Sequence, residues 1–298
     1  MSGPRFGQVL TAMVTPFGPD GSVDYDVASA LAKFLVAEGN DGLVVAGSTG
    51  EGSSLSDEEK LNLFACVAEA VTVPVLAGTT FANTQQSVAL TSQVKATGVS
   101  GVLATTPAYA RPNQSGIAAH FAAIAESTPL DIMLYDIPVR TGRKINAATT
   151  IDLVKNHKNV IALKDASGDL VSAAHTKAVL GDKLDLYSGD DSLLLAFLAI
   201  GAVGVVSVAA HWAAPEIVGI VRAFEKGKFD KAQRLYERVA PSFSFEGTES
   251  YPNPMPSKAA MRVLGFNVGD CRLPHAPSDL DLDRSAAEIV TSLKNSRG

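Results

Sequence analysis

The feature that most constrains the fold is a regular alternation of short apolar runs with longer amphipathic stretches, which continues to about residue 226. Eight runs are rich in β-branched residues: Val9 to Val14, Gly42 to Ala46, Val73 to Ala77, Gly101 to Ala104, Ile132 to Tyr135, Val160 to Lys164, Leu184 to Ser188 and Gly204 to Val208. The runs are almost continuously apolar, which is typical of parallel strands covered on both faces. Successive runs begin roughly 20 to 30 residues apart, enough for one strand and one crossover helix.

Eight such units predict an α/β fold, a (β/α)8 TIM barrel. Between the runs, helices are expected at Tyr25 to Glu38, Asp57 to Ala70, Thr84 to Ala96, Gln114 to Ser127, Ala147 to Lys155, Leu170 to Leu180, Ser192 to Ile200 and Pro215 to Lys226. An open doubly wound sheet is the alternative. However, no G-x-G-x-x-G motif follows the first run, and the chain has no Walker A sequence.

The rhythm changes after Gly227, where only helical patterns remain. They lie at Phe229 to Val239, Ser257 to Leu264 and Ser285 to Lys294, joined by proline-rich loops. We therefore expect a catalytic barrel over residues 1–226 and a C-terminal helical extension over residues 227–298.

One uncharged stretch, Leu193 to Ala210, is about as long as a membrane-spanning helix. Gly201, Gly204 and Ser207 interrupt it, and its two halves differ in character. The first half suits a helix and the second a buried strand, so we expect a helix, a turn and a strand here, and no membrane partner.

Charge and cysteine content restrict the partners and the compartment. The formal net charge is -6 and no basic run is present, so we expect no nucleic-acid partner. Cys66 and Cys271 lie far apart and indicate neither a disulfide framework nor a metal site. The segment from Met1 to Phe6 lacks the pattern of a signal peptide. These features predict a cytoplasmic protein.

Lys164 closes the sixth apolar run, where a glycine-containing loop takes over. Burial at such a place lowers the pKa of a lysine from about 10.4 and increases its neutral, nucleophilic fraction. Lys164 is therefore a candidate Schiff-base lysine. Taken alone, the same pattern is more often a lysine that begins a surface turn.

Polar residues follow most of the predicted strands, at the end of a barrel where active sites collect. They include Thr15, Ser48, Thr49, Thr79, Thr80, Thr105, Thr106, Tyr109, Tyr135, Arg140, Ser188, Asp190, Asp191 and Ser207. The Gly47 to Gly50 turn could bind the carboxylate of a small oxo-acid. Tyr135 could transfer protons, and Arg140 offers a planar fork for a second carboxylate. Singly, these residues could instead be a helix cap, a core tyrosine and a surface arginine.

Metal chemistry has little support in the sequence. The five histidines, His120, His157, His175, His211 and His275, show no ligand spacing such as H-x-x-x-H. This argues against a zinc-dependent aldolase. An iminium on Lys164 would itself accept electrons, so we expect neither a metal nor a cofactor.

Five segments together resemble the superfamily of Schiff-base barrels that contains dihydrodipicolinate synthase and N-acetylneuraminate lyase, and the likeness covers nearly the whole chain. They are Gly47-Ser48-Thr49-Gly50-Glu51, Thr106-Pro107-Ala108-Tyr109, Tyr135-Asp136-Ile137-Pro138, Lys164-Asp165-Ala166-Ser167-Gly168 and Ser188-Gly189-Asp190-Asp191. The resemblance implies that Lys164 forms an imine with pyruvate, whose enamine then attacks an aldehyde.

The resemblance also assigns roles to other residues. It implies a proton relay of Thr49, Tyr109 and Tyr135, with Ser48 nearby. It implies that Thr49 and the backbone of Val206 contact pyruvate, and it places Gly189 in the substrate site. The tyrosine that matches Tyr109 reaches into a neighbouring subunit in this family, which implies a homo-oligomer, either a dimer or a dimer of dimers.

Arg140 distinguishes branches of the superfamily. The segment Pro138-Val139-Arg140-Thr141-Gly142 resembles the synthases, in which the arginine binds the carboxylate of aspartate 4-semialdehyde, whereas sialic acid lyases lack it. The stretch from Gly269 to Pro274 also resembles the synthase ending, G-x-x-R-L-P. The implied reaction condenses pyruvate with aspartate 4-semialdehyde, the first committed step of diaminopimelate and lysine biosynthesis.

Two alternatives to that function remain open. The first is another pyruvate-dependent aldolase or a keto-deoxy-sugar-acid dehydratase on the same barrel. The second is a barrel that binds an oxo-acid or a protein partner without catalysis.

The chain departs from the synthase pattern in two places. Ser48 stands where synthases more usually have threonine, although the hydroxyl is retained. Lysine-inhibited synthases generally carry a tyrosine at the position of Ala108, a histidine near Lys60 and a glutamate near Ser87. We therefore expect feedback inhibition by lysine to be weak or absent.

Overall fold

The computed structural model describes residues 3–297, and these form a closed barrel of eight parallel strands. The strands are β1 (Val9–Ala12), β2 (Gly42–Val45), β3 (Val75–Gly78), β4 (Gly101–Thr105), β5 (Asp131–Asp136), β6 (Val160–Asp165), β7 (Asp185–Ser188) and β8 (Gly204–Ser207). Each strand pairs with the next along the chain, and β8 pairs with β1 to close the barrel. The (β/α)8 prediction is confirmed. Met1 and Ser2 of the N-terminal segment discussed above lie outside the described residues.

Helices surround the barrel and continue beyond it. They are α1 (Tyr25–Ala37), α2 (Asp57–Ala70), α3 (Thr84–Thr91), α4 (Gln114–Glu126), α5 (Pro138–Thr141), α6 (Ala147–Asn156), α7 (Leu170–Leu180), α8 (Leu194–Ala199), α9 (Ala210–Glu225), α10 (Phe229–Phe245), α11 (Met255–Val263) and α12 (Leu280–Asn295). Local sequence explains their starts. Ser56 and Glu59, for example, form a reciprocal capping box at the start of α2.

Four helices differ from the sequence-based expectation, and one of them is α12, which starts at Leu280 instead of Ser285. The helix expected over Thr84 to Ala96 ends at Thr91, and a 3-10 turn at Val94–Thr97 follows it. Helix α9 starts at Ala210, before Pro215, and its backbone is non-helical at Ala213, so the proline follows a kink. Helix α10 continues past Val239 and through Pro241 to Phe245. The indole of Trp212 donates a hydrogen bond of 3.0 Å to Ser242 and anchors that last part.

Alternate strand residues fill the barrel interior, as the strand period requires. This inner cluster contains Phe6, Leu10, Ala12, Val44, Leu76, Leu103, Met133, Tyr135, Ile137, Ala162, Tyr187 and Val206. The hydroxyl of Tyr187 donates to the carbonyl of Gly7 at 2.8 Å, so the N-terminal end of the barrel is filled and tied together. The functional face is therefore at the opposite, C-terminal end of the strands.

The C-terminal extension packs on the barrel and shares its outer hydrophobic core, which includes Val239, Met261 and Val290. Its charged side chains reach back as well: Arg272 pairs with Glu59, and Arg297 pairs with Glu216. The division of the chain at residue 227 stays a prediction. No helix among residues 3–297 has the length and apolar character needed to cross a membrane. The stretch around residues 193–210 forms α8, a turn and β8, as expected.

Candidate active site

Lys164 lies next to the last residue of β6, and its side chain points into the barrel mouth beside Tyr135 of β5. The two residues are direct partners in the β5–β6 pairing. Lys164 is only 4% exposed, and its Nζ lies 4.2 Å from the centroid of the Tyr135 ring. Burial lowers the pKa of Lys164 to about 8, while the charge of Asp191 opposes this shift and that of Arg140 adds to it. A nucleophilic amine is therefore accessible near neutral pH.

Gly189 follows β7 and lies against the stem of Lys164. A Cβ at this position would sit 3.0 Å from Lys164 Cγ and 2.9 Å from Ala166 Cβ, which leaves no room for a side chain. The amide of Gly189 donates to the carbonyl of Asp165 at 2.7 Å and fixes the chain there. The position thus requires glycine, because a side chain there would collide with the stem of Lys164 and with Ala166.

Tyr135 is buried, and its environment favours the neutral phenol. Desolvation raises the pKa of Tyr135 well above its usual range, although Arg140 and a hydrogen bond with Ser48 act in the opposite direction. A neutral phenol can both give and accept a proton. Ser48 itself is open to the barrel mouth, so it links Tyr135 to the entrance.

The turn after β2 is held tightly from several sides. Thr15 Oγ1 donates to the carbonyl of Gly50 at 2.6 Å. Glu51 has a left-handed backbone, with φ of 52°, and its Oε1 lies 2.7 Å from Lys258 Nζ. Thr49 is buried, and Asn253 Nδ2 donates to its hydroxyl oxygen at 2.9 Å. The geometry therefore fixes Thr49 through the C-terminal extension.

Arg140 lies on α5, a single turn that follows β5, and it is exposed at the mouth. Its Nη2 lies 3.4 Å from the carbonyl oxygen of Asn253, in a weak hydrogen bond. The described part of the chain provides its other guanidinium nitrogens with no hydrogen-bond partner, so they can bind a ligand carboxylate.

A cavity of about 440 Å³ opens at this end of the barrel. Its lining is mostly polar or small and includes Ser48, Thr80, Thr105, Thr106, Ala108 and Arg140. This volume suits a small organic acid. Of the predicted site residues, Ser48 and Arg140 line the cavity, whereas Lys164, Tyr135 and Thr49 do not. A second cleft, between Asn113 and Arg143, contains none of the predicted site residues.

The other predicted residues differ in their placement. Val206 is buried in β8 and belongs to the inner cluster. Tyr109 is 96% exposed and has a left-handed backbone, with φ of 68°. It is therefore separate from the buried pair of Lys164 and Tyr135.

Sequence reasoning did not identify four residues that shape this site: Asn253, Lys258, Asp191 and Glu246. Asp191 was noted only as one of several polar residues after the strands and within a matching segment, and Asn253 lies in one of the proline-rich loops. The roles of Asn253 and Lys258 could not be seen in the sequence, because their partners Thr49 and Glu51 lie more than 200 residues away along the chain. Proline at three places between 252 and 256, beside a polar residue, was the available signal of a fixed loop.

Comparisons with known proteins agree on the family. The model of the dihydrodipicolinate synthetase family matches residues 5–293. A 4-hydroxy-tetrahydrodipicolinate synthase of Synechococcus elongatus is 43% identical over 97% of this chain and 96% of its own length. A 4-hydroxy-tetrahydrodipicolinate synthase 2 of Halalkalibacterium halodurans is 45% identical over 97% of this chain and 99% of its own. A lysine-bound synthase structure from Cyanidioschyzon merolae has a TM-score of 0.94 and 39% identity, covering 97% and 98% of the two chains.

Proposed function

Because the chain belongs to the dihydrodipicolinate synthetase family, we propose that it catalyses the 4-hydroxy-tetrahydrodipicolinate synthase reaction of its relatives. In this reaction a lyase condenses pyruvate with aspartate 4-semialdehyde, the first committed step towards diaminopimelate and lysine. The sequence-based predictions of the family, the fold and the enzyme class are confirmed. The observation that carries the mechanism is the buried Lys164 beside the phenol of Tyr135.

The first half-reaction uses Lys164 as the nucleophile. Its neutral amine attacks the ketone carbon of pyruvate, and the carbinolamine loses water to give a cationic imine. Loss of a methyl proton then gives an enamine, whose carbon attacks the aldehyde of the second substrate. Tyr135 exchanges the protons of these steps with Thr49, and the resemblance adds Tyr109 of a neighbouring subunit.

Substrate binding is assigned to residues around this centre. Thr49 and the turn that contains it hold the pyruvate carboxylate, with Ser48 between Tyr135 and the entrance. The backbone of Val206 contacts pyruvate from β8, and Gly189 leaves the space that the lysine stem needs. Arg140 binds the carboxylate of the semialdehyde from the exposed rim.

Trapping with borohydride tests the imine. Pyruvate and borohydride together should add a reduced pyruvyl group to Lys164, which peptide mass spectrometry locates. Lys164→Ala should abolish the adduct, whereas the control Lys144→Ala, which removes a lysine paired with Asp169, should leave it intact. The absence of a pyruvate-dependent adduct on the wild-type protein would remove both the mechanism and its central residue.

Turnover assays with different aldehydes test the second substrate. Arg140→Ala should lower kcat/KM for aspartate 4-semialdehyde while sparing imine formation, and Arg143→Ala is the matched control. Efficient turnover of sugar aldehydes or sugar acids, with none of the semialdehyde, would instead support a pyruvate aldolase or a dehydratase of the same barrel. A protein without any turnover would support the binding alternative.

We further propose a homo-oligomer located in the cytoplasm. Exposure of Tyr109, the residue expected to cross to another subunit, supports a dimer or a dimer of dimers. The two unpaired cysteines support the compartment.

A further inference from the structure

Two carboxyl groups, those of Asp191 and Glu246, interact with each other and with the charge of Lys164. Asp191 stands two residues after Gly189, whose backbone lies against the stem of Lys164. Asp191 begins the turn after β7, whereas Glu246 follows the last residue of α10 in the C-terminal extension. The two groups are within hydrogen-bond reach of each other. Neither residue is part of the proposed proton relay, yet the extension brings Glu246 into the barrel mouth.

The hydrogen bonds of this pair are incomplete if both groups are ionised. Asp191 Oδ2 accepts from the amides of Val208 and Ala209 at 2.7 and 3.1 Å. Among the described residues, Asp191 Oδ1 and Glu246 Oε1 are buried and find no donor. Two adjacent carboxylates would also repel each other. One shared proton resolves both problems, because an O–H on one group can donate to the other.

The surroundings indicate which group holds the proton. The backbone amides and the hydroxyl of Ser207 stabilise ionised Asp191. Within residues 3–297, Glu246 Oε1 has no such donor. Burial, together with the charges of Asp191 and Asp190, raises the pKa of Glu246 well above the usual range, and the charge of Lys164 opposes this shift. Glu246 is therefore the neutral acid of the pair.

We propose that Glu246 stays protonated and donates a hydrogen bond to ionised Asp191, and that the single negative charge of this pair is the counterion of the Lys164 iminium. The inference rests on the imine chemistry proposed above. A fixed anion near a cation in a desolvated site stabilises that cation strongly, and one charge avoids the cost of burying two. The positive charge of Arg140 opposes this stabilisation of the iminium, and the neighbouring phenol of Tyr135 carries no charge. Asp191 and Glu246 are thus positioning residues, since they act through Lys164.

Two variants distinguish the effect of the pair's negative charge from the effect of its shared proton. In Glu246→Gln, the amide can still donate to Asp191, so the pair keeps its single charge. In the double variant Asp191→Asn/Glu246→Gln, neither group can ionise, while the asparagine oxygen can still accept from Val208 and Ala209. The readouts are the pH midpoint of imine formation, followed by borohydride trapping, and the dissociation constant of pyruvate.

We expect Glu246→Gln to keep the wild-type midpoint. The double variant should move the midpoint down by about 1 pH unit, because the anion that raises the pKa of Lys164 is gone. Pyruvate should also bind it about tenfold more weakly, since the iminium loses its counterion. If Glu246→Gln alone shifts the midpoint as far as the double variant, Glu246 is ionised and the shared proton is disproved. An unchanged midpoint in a folded double variant would disprove the counterion role.

Infrared spectroscopy tests the proton without any substrate. The wild-type protein at neutral pH should show the carbonyl stretch of a protonated carboxylic acid that is missing from Glu246→Gln. A wild-type spectrum without that band would overturn the proposal, even if the double variant failed to fold. The band is independent of pyruvate, so a protein that forms no imine but shows the band would contradict the proposed function and the counterion role, while leaving the proton assignment intact.

Discussion

Lys164 Nζ lies 4.2 Å from the centre of the Tyr135 ring, and the two residues face each other across neighbouring strands. The strand pairing sets this relationship, so it does not depend on a flexible loop. A buried amine and a buried neutral phenol thus share one rigid surface, which lowers the cost of organising them for proton transfer.

The rate of imine formation should rise with pH and level off above a midpoint of about 8, the pKa of Lys164. The sign follows from the chemistry, because only the neutral amine attacks and the ammonium form predominates below the midpoint.

Tyr135→Phe should lower kcat about 100-fold by removing the proton donor. Rapid-mixing measurements across a pH series check both effects, and a flat pH profile would show that another step limits the rate.

Asn253→Ala should lower kcat about tenfold, because the Thr49 hydroxyl loses the donor that fixes its orientation. Arg140 should be unaffected, since it contacts only the backbone carbonyl of Asn253. Ser257→Ala is the control: its hydroxyl touches the side chain of Asn253 at 3.5 Å. Steady-state kinetics with both substrates make the comparison, and equal kcat values for the two variants would count against a role in orientation.

Lys258→Met should lower the free energy of unfolding by about 3–5 kcal/mol, because it leaves Glu51 buried without its cation. Both side chains are almost fully buried, and Lys258 also lies 4.0 Å from the Phe17 ring. Adding Glu51→Gln should recover part of the loss, since no buried charge then remains. Denaturation experiments on the single and double variants complete the cycle; strictly additive effects would mean that the two residues do not interact.

Tyr109→Ala should weaken self-association and lower kcat together, if the ring enters a neighbouring site as the resemblance implies. Tyr109→Phe should keep the association and lose only the relay function. Sedimentation velocity over a concentration series, with parallel kinetics, separates the two effects. A fully active wild-type monomer would contradict the shared site.

Lysine should inhibit the enzyme weakly or not at all. Lys60 is buried, with its Nζ 3.9 Å from the Phe81 ring, and its positive charge opposes another cation nearby. Desolvation lowers its pKa to about 8, so a substantial part of that charge remains at neutral pH. Initial rates measured against lysine concentration test this expectation, and micromolar inhibition would refute it. Lys60→His would then show whether this position controls the response.

The barrel and the orientation of Lys164 followed from local patterns in the sequence. Apolar runs at a strand-and-helix spacing predict parallel strands, and the end of the sixth run places its lysine at the functional face. Asn253 could not be placed in this way, because no local pattern predicts that a loop folds back over the mouth. Glu246 was hidden for the same reason, and its burial depends on how α10 continues through Pro241.

The filled interior of the barrel also has a kinetic consequence. Tyr187 pairs with Lys164 in the β6–β7 register, but its hydroxyl reaches the Gly7 carbonyl, so its ring fills the barrel below the lysine together with Phe6 and Leu10. Substrates therefore reach Lys164 from the mouth. Pyruvate must enter, and the water released by dehydration must leave, through the mouth where Arg140 receives the second substrate. An aldehyde that binds first at the mouth would block the entry of pyruvate and the release of water. The architecture therefore favours a compulsory order of events, with excess semialdehyde acting as a competitor of pyruvate.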